Sequence, residues 1–416
     1  MFHYLVFAIF VVLFMRSYNK ATILVAALAC LLSVFKDPLA LVSNLYLTLS
    51  LVALVIGIFK YGKQLQQAPF LSCIIPVLIS YVCTMSVHGL YLKQFLLILA
   101  QYSFPCILYC VINSQERIDY YVKCTSIILL FAIAYSLLEE SISANPIMHW
   151  CENNMDSFTW LIDRTEFRFG VKRAQSFFAD VAAFGMSCAY GFIVLFTLMR
   201  DNAKVMLKGW RKILTLILPI FVFFTGTRSI IMCFLVACIS LLTPQTIKKY
   251  RFQLFVIAII LVLFMGNYFS SVYDSIFVDS TELGGSSSDM REGQWDIAFF
   301  YMAQDFWFGN GIYFTGNLLN NGGEAGLFGA EGMWLPIMMD RGMIGVICTL
   351  AAFIIGLVVI IRARQYRQIW IWISFLLMKT IATGVGIEVT YYEVIFIVLL
   401  RYYEFQKSSI VKIKHS

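Results

Sequence analysis

Long apolar runs separated by short polar breaks recur along the whole chain, at about residues 2–15, 21–35, 39–59, 69–87, 94–113, 122–138, 176–199, 213–225, 229–243, 254–271, 342–361, 369–386 and 388–400. A bilayer core needs about 20 such residues in a helix, so most of these runs are predicted to span a membrane. The expected fold is all-α, a polytopic integral membrane protein of about 11–13 transmembrane helices, with residues 1–416 forming one membrane domain. The first two runs are short and leave the total open. No cationic segment precedes the first run, and Arg16 follows it in place of a small-residue cleavage site, so it is expected to be retained.

Two polar segments interrupt the pattern, about 139–175 and the larger 272–341, and both are expected to be outer loops carrying short amphipathic helices. Composition agrees with the membrane reading: 60% of residues are hydrophobic and 13% charged, against about 45–50% apolar in soluble domains. Most of the eleven cysteines lie inside apolar runs, where thiols pack as small hydrophobes. Neither a disulfide framework nor a zinc spacing is present. No Walker A, Rossmann or HExxH pattern occurs, so no cofactor, no metal and no nucleic-acid partner is expected.

Charge sets the orientation, because short loops rich in Lys and Arg stay in the cytoplasm. Residues 200–212, 244–253, 362–368 and the tail from Arg401 are the basic segments. The stretch 213–243 has basic flanks on both sides, so it must cross an even number of times. It is predicted to be a hairpin with Arg228 at its outer tip, half-buried and facing protein. By the same parity the 272–341 loop lies outside. It is acidic, with ten carboxylates against Arg291 and Arg341. The 139–175 loop ends in Arg164, Arg168, Lys172 and Arg173.

These outer arginines run against the charge bias. They pair with loop acids or reach toward lipid phosphates, or they form an anion site. Guanidinium forks bind phosphate oxygens bidentately and keep their charge, which suits the diphosphate of a lipid-linked sugar.

Four stretches, in order, carry a family resemblance. KRAQSFFADVAAFGMSCAY (172–190) resembles Arg-x-x-Gly-x-Phe-x-x-Pro-x-x-Ala/Gly. TGTRSIIM (225–232) resembles a Thr/Ser-Gly-Ser-Arg hairpin tip. REGQWDIAFFYMAQDFWFGNGIYF (291–314) resembles Arg-x-x-x-Trp followed by Pro-x-x-Gly-x-Gly. AEGMWLPIMMDRGMIGVI (330–347) resembles a His-Asn-x-Tyr-Leu stretch ending in Glu-x-Gly-Ile-Ile-Gly. The chain thus resembles the bacterial O-antigen polymerase and O-antigen ligase superfamily. Ser176 and Asp180 stand where that family often has Gly and Pro or Asn, Trp307 replaces a common Pro, and Glu331 stands where the ligases carry His.

The resemblance implies a GT-C-like membrane glycosyltransferase, active at the periplasmic face of the inner membrane and independent of metal. It would transfer an oligosaccharide from undecaprenyl diphosphate to a sugar hydroxyl of a second lipid-linked unit, with a chain-length regulator and a flippase as partners in the bilayer. Cations must offset charge on the departing diphosphate: Arg228 and Arg291 come first, then Arg173. A base must take the acceptor proton, and Glu331 is the candidate, equally open to pairing with an arginine; Asp289 and Asp296 are weaker alternatives. Trp295 and Trp334 could stack on sugar faces or anchor at the membrane interface. The stretch GNGIYFTGNLLNNGGEAGLFGAEG reads as a lid over the site or as a series of turns. Glu331 favours polymerase over ligase. A transporter or flippase ranks third: Asp180, Lys379 and Glu388 are intramembrane charges that could mark an ion path, but no broken, repeated segments accompany them.

Overall fold

The structure, a computed structural model, describes residues 2–42, 44–154, 167–168, 171–178, 180–201, 203–242, 248, 251, 287–322, 325–327, 332–381 and 393–414. Its helices are α1 (Phe2–Arg16), α2 (Tyr18–Ala27), α3 (Ala29–Leu32), α4 (Leu45–Leu65), α5 (Leu71–His88), α6 (Leu92–Val111), α7 (Gln115–Ile142), α8 (Pro146–Asn154), α9 (Val181–Arg200), α10 (Gly209–Phe224), α11 (Arg228–Ile239), α12 (Ser287–Gln304), α13 (Phe314–Asn320), α14 (Trp334–Arg362), α15 (Gln368–Ile381) and α16 (Glu393–Lys414). Among the described residues the strands are a two-residue pair, β1 (Phe167–Arg168) against β2 (Val171–Lys172), antiparallel with Phe167 opposite Lys172. Helices α4, α5, α6, α7, α9 and α14 are long and apolar enough to cross a membrane, and α1, α11 and α15 are apolar but shorter. The protein is all-α and polytopic. The run expected at 254–271 lies outside the described residues.

Several boundaries differ from the hydropathy pattern. Helix α7 continues through Glu139 and Glu140 to Ile142, because the Glu139 carboxylate is taken up by donors inside the protein and need not face water. Helix α14 begins at Trp334, eight residues before the expected span, and is kinked at Gly342, whose φ is +58°. Helix α16 runs on past Leu400 into the basic tail. Its Arg401 Nε donates to Ile112 O at 2.8 Å and its Nη1 lies 2.7 Å from Glu404, so the tail's first charges are held against the bundle.

Hydrogen bonds sort the helix ends into two layers. At one end, Arg200 donates to Leu241 O and Tyr403 Oη at 3.4 and 3.3 Å, Gln365 reaches Leu400 O, and Lys407 reaches Ala363 O. This end collects residues of three segments that charge assigns to the cytoplasm, those around Arg200, Gln365 and Lys407. The opposite end holds the hairpin tip, the 172–180 segment and the starts of α9 and α14. Close helix approach is made by small residues: a Cβ on Gly57 of α4 would lie 2.6 Å from Ile107 Cδ1 of α6.

Candidate functional site

The predicted hairpin is present. α10 ends at Phe224 and α11 begins at Arg228, leaving Thr225, Gly226 and Thr227 as the tip. Gly226 has φ +58°, a backbone region that favours glycine. Arg228 is half-buried. Arg173 comes from the other loop onto this tip: its Nε donates to Thr225 O at 2.9 Å and its Nη2 to Thr227 Oγ1 at 2.7 Å. Ala174 N donates to Phe224 O at 3.2 Å. Two motifs some fifty residues apart in sequence therefore meet, and the guanidinium of Arg173 covers the turn from which Arg228 departs.

A buried carboxylate organises the Arg173 segment. Glu139 in the last turn of α7 receives Lys172 Nζ at 3.1 Å, Ser176 N at 2.7 Å, Gln175 N at 3.2 Å and Asn145 Nδ2 at 3.2 Å. Both charged side chains are inaccessible, at 1% for Glu139 and 3% for Lys172. Ser176 stands where the resemblance has Gly, and its φ of +57° explains that preference. The serine is held there by its backbone N–H, which donates to Glu139, and by its hydroxyl, which donates to Ala132 O at 2.8 Å. Sequence reasoning missed Glu139, because an acid at the end of an apolar run reads as the start of a loop; its spacing from Lys172 carries no signal.

Asp180 caps α9, accepting from Ala183 N at 2.6 Å. Desolvation by the surrounding protein pushes its pKa up. The Ala183 and Ala182 amides and Arg173 pull the other way. This places Asp180 as a helix cap beside Arg173.

A second group forms at the end of α15. Met333 N donates to Lys379 O at 2.8 Å, Trp334 Nε1 to Thr380 Oγ1 at 3.1 Å, and Arg291 Nη2 lies 3.5 Å from Ile381 O. Gly332 has φ +93°, and a Cβ there would lie 2.5 Å from Thr380 O. Arg291 is exposed, and Lys379 is buried with its Nζ over the Phe353 ring at 5.8 Å. Glu331 lies outside the described residues, as do Arg164 and Glu388; its neighbour Gly332 is fixed against Thr380. Trp295 packs, partly buried, with Leu335, Met338 and Met339 of α14, and Asp296 is exposed on α12.

The two groups sit at one level. α11 and α15 pack side by side, with Ser374 Oγ donating to Cys233 O at 2.7 Å. Arg228 precedes Cys233 by as many residues as Lys379 follows Ser374. At about 1.5 Å rise per residue the antiparallel pair carries both cations to the same height. Arg228, Arg173, Lys379, Arg291 and the segment entering α14 thus share one end of the bundle.

The third and fourth motifs also fit together. Asn310 N donates to Met339 O at 2.8 Å, Gly311 N to Asp340 O at 3.2 Å, and Met343 N to Phe306 O at 2.9 Å. Gly309 (φ +70°) and Gly342 (φ +58°) face each other so closely that a Cβ on Gly342 would lie 2.6 Å from Gly309 N. This part of the expected lid is docked, and Thr315 continues the contact through its bonds to Asp340 at 2.7 and 2.6 Å. Arg341 is 2% exposed, donating to Ser80 Oγ at 3.1 Å with its guanidinium 4.1 Å from the Tyr81 ring centre. It is a buried link to α5, which corrects the expectation that it reaches outward to lipid phosphates. Among the described residues no cluster of three or more His, Cys, Asp or Glu could hold a metal ion.

The family model described as O-Antigen ligase matches residues 213–350. That part of the chain is similar to the family. The match spans the hairpin and the first half of α14, and it includes Arg228, Arg291, Trp295, Glu331 and Trp334 while leaving Arg173 outside. The resemblance to the O-antigen polymerase and ligase superfamily stands, and proteins of this family are glycosyltransferase-like enzymes. No match is found among curated proteins.

Proposed function

We propose that the protein polymerises lipid-linked oligosaccharide repeat units for O-antigen, capsule or exopolysaccharide at the periplasmic face of the bacterial inner membrane. The observation that carries this reading is the convergence of Arg173 on the tip that starts Arg228, at the bundle end shared with Arg291. An acceptor sugar oxygen forms a bond to the anomeric carbon of the donor. The bond from that carbon to the diphosphate breaks, and undecaprenyl diphosphate leaves with the electron pair. Arg228 and Arg291, supported by Arg173, offset the charge that develops on it, and Glu331 takes the acceptor proton. No metal is required, because guanidinium groups supply the positive charge. Trp295 and Trp334 border the sugar path, and a chain-length regulator and a flippase act alongside.

The family description favours a second reading, transfer of the glycan to lipid A or a protein. The experiment that separates them gives the purified protein in lipid undecaprenyl-diphosphate repeat units and resolves the products by length. A ladder supports polymerase; transfer only to added lipid A or protein supports ligase. No transfer to any acceptor sinks both.

A further inference from the structure

We infer that Glu139 is the positioning residue that sets the Arg173 guanidinium for diphosphate binding; this rests on the proposed function. Every group hydrogen-bonded to its carboxylate is a donor: the Lys172 ammonium, two backbone amides and the Asn145 side-chain amide; the one like charge beside it is its chain neighbour Glu140. The Asn145 orientation is fixed, since its Oδ1 accepts from Tyr135 Oη at 2.8 Å and Met148 N at 3.2 Å. An ionised carboxylate is acceptor-only and can take about four hydrogen bonds, so it matches this shell and no neutral side chain of the same shape does.

The donors bracket the arginine. Lys172 precedes Arg173, while Gln175 and Ser176 follow it, so one buried carboxylate clamps the chain on both sides of a two-residue span. The Ala174 amide then fixes the middle of that span to Phe224 O. The Arg173 backbone is left one arrangement, from which its side chain meets Thr225 and Thr227. Glu139 itself is enclosed and touches no substrate.

The test measures binding of undecaprenyl diphosphate to the purified protein in nanodiscs, for wild type, Glu139→Gln, Arg173→Ala and the double variant. A dissociation constant does not move when part of a sample is merely unfolded, so a purely structural role leaves it unchanged. We expect Glu139→Gln and Arg173→Ala each to weaken binding about tenfold, and the double variant to bind no worse than Arg173→Ala. If Glu139→Gln does not yield folded protein, Glu139→Asp, which keeps the charge, takes its place with a loss of several-fold and the same lack of additivity. Wild-type affinity in the Glu139 variant, or additive losses in the double, overturns the inference while leaving the proposed function standing; wild-type affinity in Arg173→Ala overturns the inference and also removes Arg173 from the proposed anion site. Failure of wild type to bind undecaprenyl diphosphate overturns both.

Discussion

Arg173 Nη2 lies 2.7 Å from Thr227 Oγ1, and through this bond a residue of one loop caps the hairpin turn that launches Arg228. Thr227→Val keeps the shape and removes the hydroxyl. A hydrogen bond to a charged group contributes about 1.5–3 kcal/mol, of which Arg173 retains the share made to Thr225 O. Binding of undecaprenyl diphosphate to the variant is expected to be about threefold to tenfold weaker, with a fall of a few degrees in melting temperature. Unaltered affinity would show that the bond does not aim the guanidinium.

Gly309 faces the α14 kink with φ +70°, and an added Cβ would press on the Arg341 amide and the Asp340 carbonyl. Gly309→Ala combines a disfavoured backbone region with a backbone collision, so it should destabilise by roughly 2–4 kcal/mol. Thermal unfolding in detergent checks this. A melting temperature equal to that of wild type would mean that the 306–311 turn lifts off α14 without cost.

The parts of this molecule that the sequence revealed are those governed by local rules. Basic flanks on both sides of 213–243 force a hairpin, and the structure turns at Thr225 to Thr227. Apolar length marks α4 to α7, α9 and α14. What stayed hidden depends on contacts distant in sequence. Glu139 and Lys172 neutralise each other across 33 positions, so each reads alone as a loop charge. Gly309 and Gly342 look like separate turn residues until the chain brings them face to face. Arg341 resembles an outer-loop cation because nothing local announces the Tyr81 ring beneath it.

Arg341 supplies a test of that last point. Its planar guanidinium lies over Tyr81 and reaches Ser80, and lysine reproduces neither the stacking nor the fork. Arg341→Lys should therefore lower stability by about 1–3 kcal/mol, read as a fall in melting temperature, while the affinity for undecaprenyl diphosphate per folded molecule stays at the wild-type value. A selective loss of that affinity would move Arg341 from the packing of α5 against α14 into the anion site.

In the proposed reaction Glu331 takes the acceptor proton. Glu331→Gln removes the base but leaves the arginines, so donor binding should persist while chain extension falls by about 10²–10⁴-fold, the usual worth of a positioned base. Glu331→His offers a base that titrates near neutrality, so any extension it restores should rise with pH through that range. Extension by Glu331→Gln at the wild-type rate would remove Glu331 from the chemistry and turn attention to Asp296, exposed on α12 one turn beyond the Arg291 segment.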